Sequence, residues 1–320
     1  MPLSKLDKAS RIAILNCMGA KKNEKILIIT DEVKREIGYS LFNNSIALGF
    51  NSLLVEMKPL TTNGEEPSQD IAKLMQNFDI VLCPTSKSLT HTNARREAAS
   101  KGSRVATFPG ITEDVMIRGL NADYKKISKL SFKVKNILDN GDYVKITSPS
   151  GTNLSFSIKG RKAIASSGLF HKKGEGGNLP TGETFLAPVE GSANGTLIID
   201  GSIAGFGIIE NINLKVIIRD GFASKITGGK LAVRVNSMLN KFGKYARNIA
   251  EFGIGTNHKA KLSGVLLEDE KVLGTIHIAF GNNLTMGGSV NVPIHIDGVV
   301  KKPTVLLDDR LIMVNGKLLI

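Results

Sequence analysis

The chain has 320 residues, of which 42% are hydrophobic and 22% charged, which is ample apolar material for two cores and ordinary for a globular chain. The formal net charge is +13, with 21 basic and 15 acidic residues up to position 140 and 21 and 14 beyond it. An excess spread so evenly, with no tryptophan and 5% aromatics, argues against a nucleic-acid-binding stripe, and no apolar run reaches the roughly 20 residues of a membrane span.

The N-terminal MPLSKLDKASRIAILNCMGAKK reads as an amphipathic helix, with Leu6, Ile12, Ala13 and Leu15 expected to face inward, and not as a secretory signal. KILIIT (25–30), SLLVEM (52–57), DIVLCP (79–84) and SRVATF (103–108) are short runs rich in Ile, Leu and Val, as strands buried on both faces should be. Helical stretches are expected at about 33–48, 68–77, 91–100, 112–118 and 123–139. The alternation predicts an open, mostly parallel α/β sheet of Rossmann-like type over residues 1–140. It carries no nucleotide fingerprint. The first strand runs into TDEVKREIG, where Asp31 and Glu32 stand in place of a glycine-rich turn. Cys17 and Cys83 lie far apart and away from any histidine cluster, and read as reduced core thiols of a cytoplasmic protein.

From Asp142 the pattern changes. YVKITSPSGTNLSFSIKG predicts a hairpin about its SPSG turn, with Arg161 and Lys162 at a solvated end. Glycines and short β-like runs follow, interrupted by one helix at about 230–249. Residues 141–320 are therefore expected to form a glycine-rich β domain with few helices, and this is the domain that carries the candidate site. The fold class predicted for the whole is α/β plus α+β.

Two of only five histidines lie within GTIHIAFGNNLTMGGSVNVPIHID (274–297). In a strand, residues i and i+2 share a face, so His295 and Asp297 point together while Ile294 and Ile296 point into a core. An imidazole beside a carboxylate is half of a metal site. His277, in TIHIAF, has the same apolar flanks. A single strand histidine is usually only a satisfied polar group, but two of them with an aspartate in matching settings point to a metal. Glu183, in NLPTGETF, and Glu251, in ARNIAEFGIGTN, are carboxylates in apolar company, costly to bury unless paired or metal-bound. Glu190 and the acidic run LEDEK (267–271) read as less informative, with Glu268 through Glu270 expected in a solvated turn.

Taken together, NLPTGETFLAPVEGSANGTLIIDGS, ARNIAEFGIGTN, LEDEKVLGTIHIAFG and VPIHIDGVVKKPTVLLDD resemble, in order, the M29 family of metallopeptidases, the thermophilic-type aminopeptidases, over about residues 178–310. The resemblance implies a two-metal site with Glu183, Glu251, His277, His295 and Asp297 as ligands, and zinc, cobalt or manganese as the ions. It further implies that Glu183 or Glu251 moves the proton for water-driven removal of N-terminal residues from short peptides, in a homodimer. The segment after His277, AFGNNLTMGGS, lacks the tyrosine those aminopeptidases carry there, so the substrate loop is reshaped. The alternative activity is that of non-haem iron ring-cleaving enzymes resembling 2,5-dihydroxypyridine dioxygenase. They would use His277, His295 and Asp297 as a two-histidine, one-carboxylate triad on one iron. A non-catalytic scaffold on the same fold would be expected to lack a ligand, and none of the five is missing.

Overall fold

The computed structural model describes residues 2–320 and divides into two compact units, Met1–Ser128 with Ser166–Thr181, and Lys129–Ala165 with Gly182–Ile320. The chain thus passes between units more than once. The expected single cut at residue 140 differs from this at the helix before it and at a short insert that returns to the first unit. Among the described residues no helix is long and apolar enough to cross a membrane.

The first unit opens with α1 (Lys5–Arg11), capped by a reciprocal pair in which Ser4 Oγ accepts from the Asp7 N–H while the Asp7 carboxylate accepts from Ser4. The helix continues as a π-helical turn over Ile12–Cys17, closed by Met18 N–H to Ala13 O at 2.9 Å. That extra residue per turn shifts the inward face, so Ala13, Ile14 and Cys17 are buried and Leu15, expected inside, is exposed. There follow β1 (Lys25–Asp31), α2 (Arg35–Ala47), β2 (Asn51–Met57), α3 (Gln69–Met75), β3 (Ile80–Cys83), α4 (Asn93–Ser100), β4 (Arg104–Thr107) and α5 (Glu113–Leu120). The strands pair in parallel in the order β2-β1-β3-β4. The predicted alternation is borne out: each apolar run is short enough for a strand, and α3, α4 and α5 between or after them start at side-chain caps. Thr92 and Thr112, for example, accept from the third residues of α4 and α5. Both cysteines are buried and free.

α6 (Tyr124–Leu138) leads to the hairpin of β5 (Tyr143–Thr147) and β6 (Asn153–Ser157), paired antiparallel from Tyr143 opposite Ser157 to Thr147 opposite Asn153. β7 (Ile164–Ser166) follows, and β8 (Gly176–Asn178) adds a parallel edge strand to β4 in the first unit. The rest belongs to the second unit: β9 (Glu183–Leu186), β10 (Asn194–Ile199), β11 (Ser202–Ile203), β12 (Gly207–Ile208), β13 (Leu214–Arg219), β14 (Phe222–Thr227), α7 (Gly229–Asn240), β15 (Ile249–Gly255), α8 (Leu266–Asp269), β16 (Thr275–Gly281), β17 (His295–Lys301), β18 (Thr304–Leu307), β19 (Arg310–Val314) and β20 (Lys317–Leu318). The helix expected at 230–249 stops at Asn240, because Gly243 adopts a positive φ of 73° and the chain re-enters a sheet at Ile249.

Two sheets build this unit, in the orders β14-β13-β10-β6-β5-β18-β19-β20 and β12-β11-β17-β16-β15-β9-β7. They bury one core between them. Val144, Leu154 and Leu197 of the first sheet share it with Ile254, Ile278 and Ile296 of the second, and Phe156 meets Phe252 edge-on at 5.3 Å between ring centres. The other face of β9, β15, β16 and β17 carries the polar residues singled out in the sequence.

Candidate metal centre

Register places the five predicted ligands on one face of four adjacent antiparallel strands. Glu251 and Asp297 both stand opposite Ala279, one from β15 and one from β17. His277 stands opposite Gly253, His295 opposite Gly281, and Glu183 of β9 opposite Gly255. Partners directly opposite share a face, so small residues alternate there with ligand-type ones. Alanine and glycine leave the space that carboxylates and imidazoles fill. At Gly253 this is absolute, since a β-carbon would lie 2.0 Å from His277 Nε2.

His277 is fully buried, and Glu183, Glu251 and Asp297 are buried to within a few per cent. The Glu251 carboxylate lies between two imidazoles, one oxygen 3.1 Å from His277 Nε2 and the other 3.0 Å from His295 Nε2. His295 Nε2 is also 3.3 Å from Asp297 Oδ1, and Glu183 Oε2 is 3.7 Å from His277 Nε2. His295 Nδ1 donates to the Asn282 carbonyl at 2.8 Å, which fixes the tautomer that leaves Nε2 facing the carboxylates.

Charge follows from this packing. Burial alone would raise the Glu251 pKa, but hydrogen bonds from both imidazoles outweigh it and hold the carboxyl well below its usual range. Burial disfavours the His277 imidazolium, yet Glu251 and the neighbouring glutamates bring its pKa up to about 9. The same opposition, with Asp297 the strongest support, raises His295 well above its ordinary value.

Two residues of the site are not among the predicted ligands. The LEDEK segment is not a solvated turn, since Glu268, Asp269 and Lys271 are all buried. The loop before α8 curls so that its own backbone satisfies the acids: Lys261 N–H donates to Glu268 and Ser263 N–H to Asp269. Lys271 then turns inward, its Nζ donating to Glu183 Oε1 at 2.7 Å and to Glu270. Burial, outweighing the attraction of Lys271 and reinforced by repulsion from Glu183 and Asp297, raises the Glu270 carboxyl to about 8. Burial opposes the Lys271 charge, but Glu183 and Glu270 overcome it and push its pKa up. The available signal was a lysine within the acidic run, a charge pattern that reads the same on a surface loop.

The loop between β16 and β17 is clamped from elsewhere in the same unit. Glu190 Oε1 accepts from Asn283 Nδ2 at 2.9 Å and from Ser289 N–H at 2.7 Å, while its other oxygen meets Arg161, which also donates to the Gly287 carbonyl. Arg161 is therefore a strut and not a solvated hairpin end. Burial would raise the Glu190 pKa, but these donors bring it down to about 2.

The residues suit a divalent ion on their own chemistry. One atom each from Glu251, His295 and Asp297, all within 4.8 Å of one another, forms a ready donor set, and Glu183, Glu270 and His277 form a second. Within this cluster two buried atoms, Glu183 Oε2 and His277 Nδ1, have no hydrogen-bond partner among the described residues. Orphaned buried donors and acceptors are rare in a purely structural cluster.

Comparison with known proteins places the chain in a family. The sequence matches the NicX family, 2,5-dihydroxypyridine 5,6-dioxygenase, over residues 1–320. A curated relative, the 2,5-dihydroxypyridine 5,6-dioxygenase of Pseudomonas putida KT2440, is 22% identical over 341 residues, spanning 99% of this chain and 93% of that protein. The solved structure of 2,5-dihydroxypyridine dioxygenase from the same organism shares the fold with a TM-score of 0.83 at 18% identity, covering 99% of this chain and 98% of that one. Wild-type AmpT from Thermus thermophilus shares it with a TM-score of 0.73 at 16% identity, covering 99% of each. The fold implied by the M29 resemblance is thus present. The hydrolase assignment is not: the full-length match to a dioxygenase family overturns the expected metallo-aminopeptidase and its peptide substrates. The blocks that carried the resemblance span β9, β15, β16 and β17 of the site sheet and β10 and β18 of the other, and they report the fold, not the reaction. This chain belongs to the NicX family of 2,5-dihydroxypyridine 5,6-dioxygenases.

Proposed function

We propose that the chain is a non-haem iron dioxygenase that opens a dihydroxylated nitrogen heteroaromatic ring, 2,5-dihydroxypyridine or a close analogue. The observation that carries this proposal is the joining of two imidazoles, the buried His277 and the solvent-reachable His295, to one buried carboxylate beside Asp297, in a chain matched end to end by a dioxygenase family. His277, His295 and Asp297 would hold the iron, with Glu251 between the two rings. Ferrous iron, when bound, brings dioxygen and the electron-rich ring together at the positions its protein ligands leave open. The fixed tautomer of His295 presents Nε2 as the donor. Glu251, placed between the two imidazoles, is positioned to accept a hydrogen bond from a hydroxyl of the bound ring and so orient it. The burial of the carboxylates keeps bulk water from them. In the overall reaction one carbon–carbon bond of the ring breaks, both atoms of dioxygen enter the product, and no external reductant is consumed.

The test is oxygen uptake by anaerobically iron-loaded protein on addition of 2,5-dihydroxypyridine. The expected result is one dioxygen per ring, loss of the ring's ultraviolet absorbance, and both atoms of labelled dioxygen in the product. No uptake with this ring or with other dihydroxylated nitrogen heteroaromatics would overturn the proposal.

A further inference from the structure

The site sheet carries a cation of its own. Lys271 is 1% exposed, and its Nζ contacts two carboxylates, Glu183 and Glu270. The backbone that delivers it is locked. Asn257 N–H donates to the Lys271 carbonyl at 2.9 Å, and Gly255 lets the segment lie against β15, since a β-carbon there would come within 2.1 Å of the Val272 carbonyl. The ammonium therefore rests on two of the three members of the second donor set, Glu183, Glu270 and His277.

A second divalent ion would need those same carboxylates. It would have to displace the buried lysine from both carboxylates, or sit beside a like charge in a poorly solvated space where repulsion is strong. The ion pairs of the other donor set, Glu251, His295 and Asp297, are with imidazoles: Glu251 with His277 and His295, and His295 with Asp297.

We propose that Lys271 stands in for a second metal ion: its ammonium occupies Glu183 and Glu270 and limits the cluster to one divalent ion, held by His277, which the lysine does not touch, with His295 and Asp297 beside Glu251. This assigns Glu183 to the lysine and not to the metal. It makes Lys271 the residue that sets the stoichiometry of a donor-rich site, and with it the choice between one-ion and two-ion chemistry. It rests on the cluster binding a divalent ion and is independent of the ring that is cleaved.

Manganese(II) is the probe. Chelator-stripped full-length protein is titrated without oxygen, bound metal is counted after gel filtration, and the spin-resonance spectrum is recorded. Wild type is expected to bind one ion per chain with an uncoupled spectrum. Lys271→Arg should do the same, and Lys271→Met should take a second ion and show spin coupling. Glu183→Gln should leave the count at one and the spectrum unchanged, which decides the matter even if Lys271→Met does not fold. Two ions in wild type, a single ion in folded Lys271→Met, or loss of the ion in Glu183→Gln would each overturn the inference while leaving the metal site standing. No bound ion in wild type would overturn the metal site and this inference with it.

Discussion

Both units of this protein bury carboxylates at their sheets, and they treat them in opposite ways. In the parallel sheet, Asp31 ends β1 where the strand order reverses between β1 and β3, the place where open α/β sheets commonly bind ligands. Its side chain is fully occupied. One oxygen accepts from Ser86 N–H at 2.6 Å and Ser86 Oγ at 2.7 Å, and the other from Lys34 N–H at 3.1 Å. The aspartate serves as a latch between two loops. In the antiparallel site sheet the carboxylates find chiefly imidazoles and a lysine, and Glu183 Oε2 and His277 Nδ1 find no partner among the described residues. A buried acid paired with backbone N–H groups holds structure. A buried acid paired with other titratable side chains, with atoms left over, is held ready for something else.

Substitutions can break that contrast, and the largest effect should come from the ligands themselves. His295→Ala and Asp297→Ala are each expected to lower iron affinity by more than about 100-fold, beyond what loss of an outer partner costs, with little change in thermal stability of the metal-free protein. Anaerobic iron titration checks this, and near-normal binding in both would remove the metal from this face. Gly253→Ala should come next. A β-carbon 2.0 Å from His277 Nε2 must push that ring aside, and a loss of about 10- to 100-fold in metal affinity is expected, in protein that still folds because the opposite face of β15 is untouched. Retained affinity would show that His277 is not needed where the structure places it.

In the parallel sheet the sign of the effect reverses. Asp31→Ala should cost about 1–3 kcal/mol of stability, from donors left unsatisfied, and leave metal binding unchanged; a urea midpoint and an iron titration on the same sample separate the two. Glu190→Gln is the mildest case, because it acts through a loop. It should loosen the segment that carries the Asn282 carbonyl and weaken metal binding by about tenfold at most. Glu190 also has a pH signature. Its folded pKa is depressed from 4.5 to about 2, so its contribution to stability is present above pH 4.5 and lost as pH falls toward 2. The stability gap between wild type and Glu190→Gln should therefore close over that range. A gap that persists at pH 2 would show that the carboxylate charge is not what holds the loop.

The sequence makes the parallel sheet easy to read, because short apolar runs alternate with helical stretches, most of them opened by a capping Ser or Thr. The strand periodicity of IHID and TIHIAF likewise puts the imidazoles and Asp297 opposite a core, which is where they lie. Three features were out of reach. The π-helical turn at Ile12–Cys17 leaves no signature in the apolar pattern. The inward turn of Lys271 depends on Gly255 making room beneath it, a contact between segments distant in sequence. The reaction was the largest miss, since the ordered blocks specify strands of both sheets and a set of donors that serve more than one chemistry. The absence of a tyrosine after His277 was the one local hint that the substrate loop belonged to another branch.

The central claim is that one redox-active metal sits on the polar face of β15, β16 and β17. The most direct test is anomalous scattering at the iron edge from crystals of anaerobically iron-loaded protein. A single peak among Glu251, His277, His295 and Asp297, with Lys271 still on Glu183, is the predicted result. A peak outside these residues, or none in crystals that contain stoichiometric iron, would contradict it.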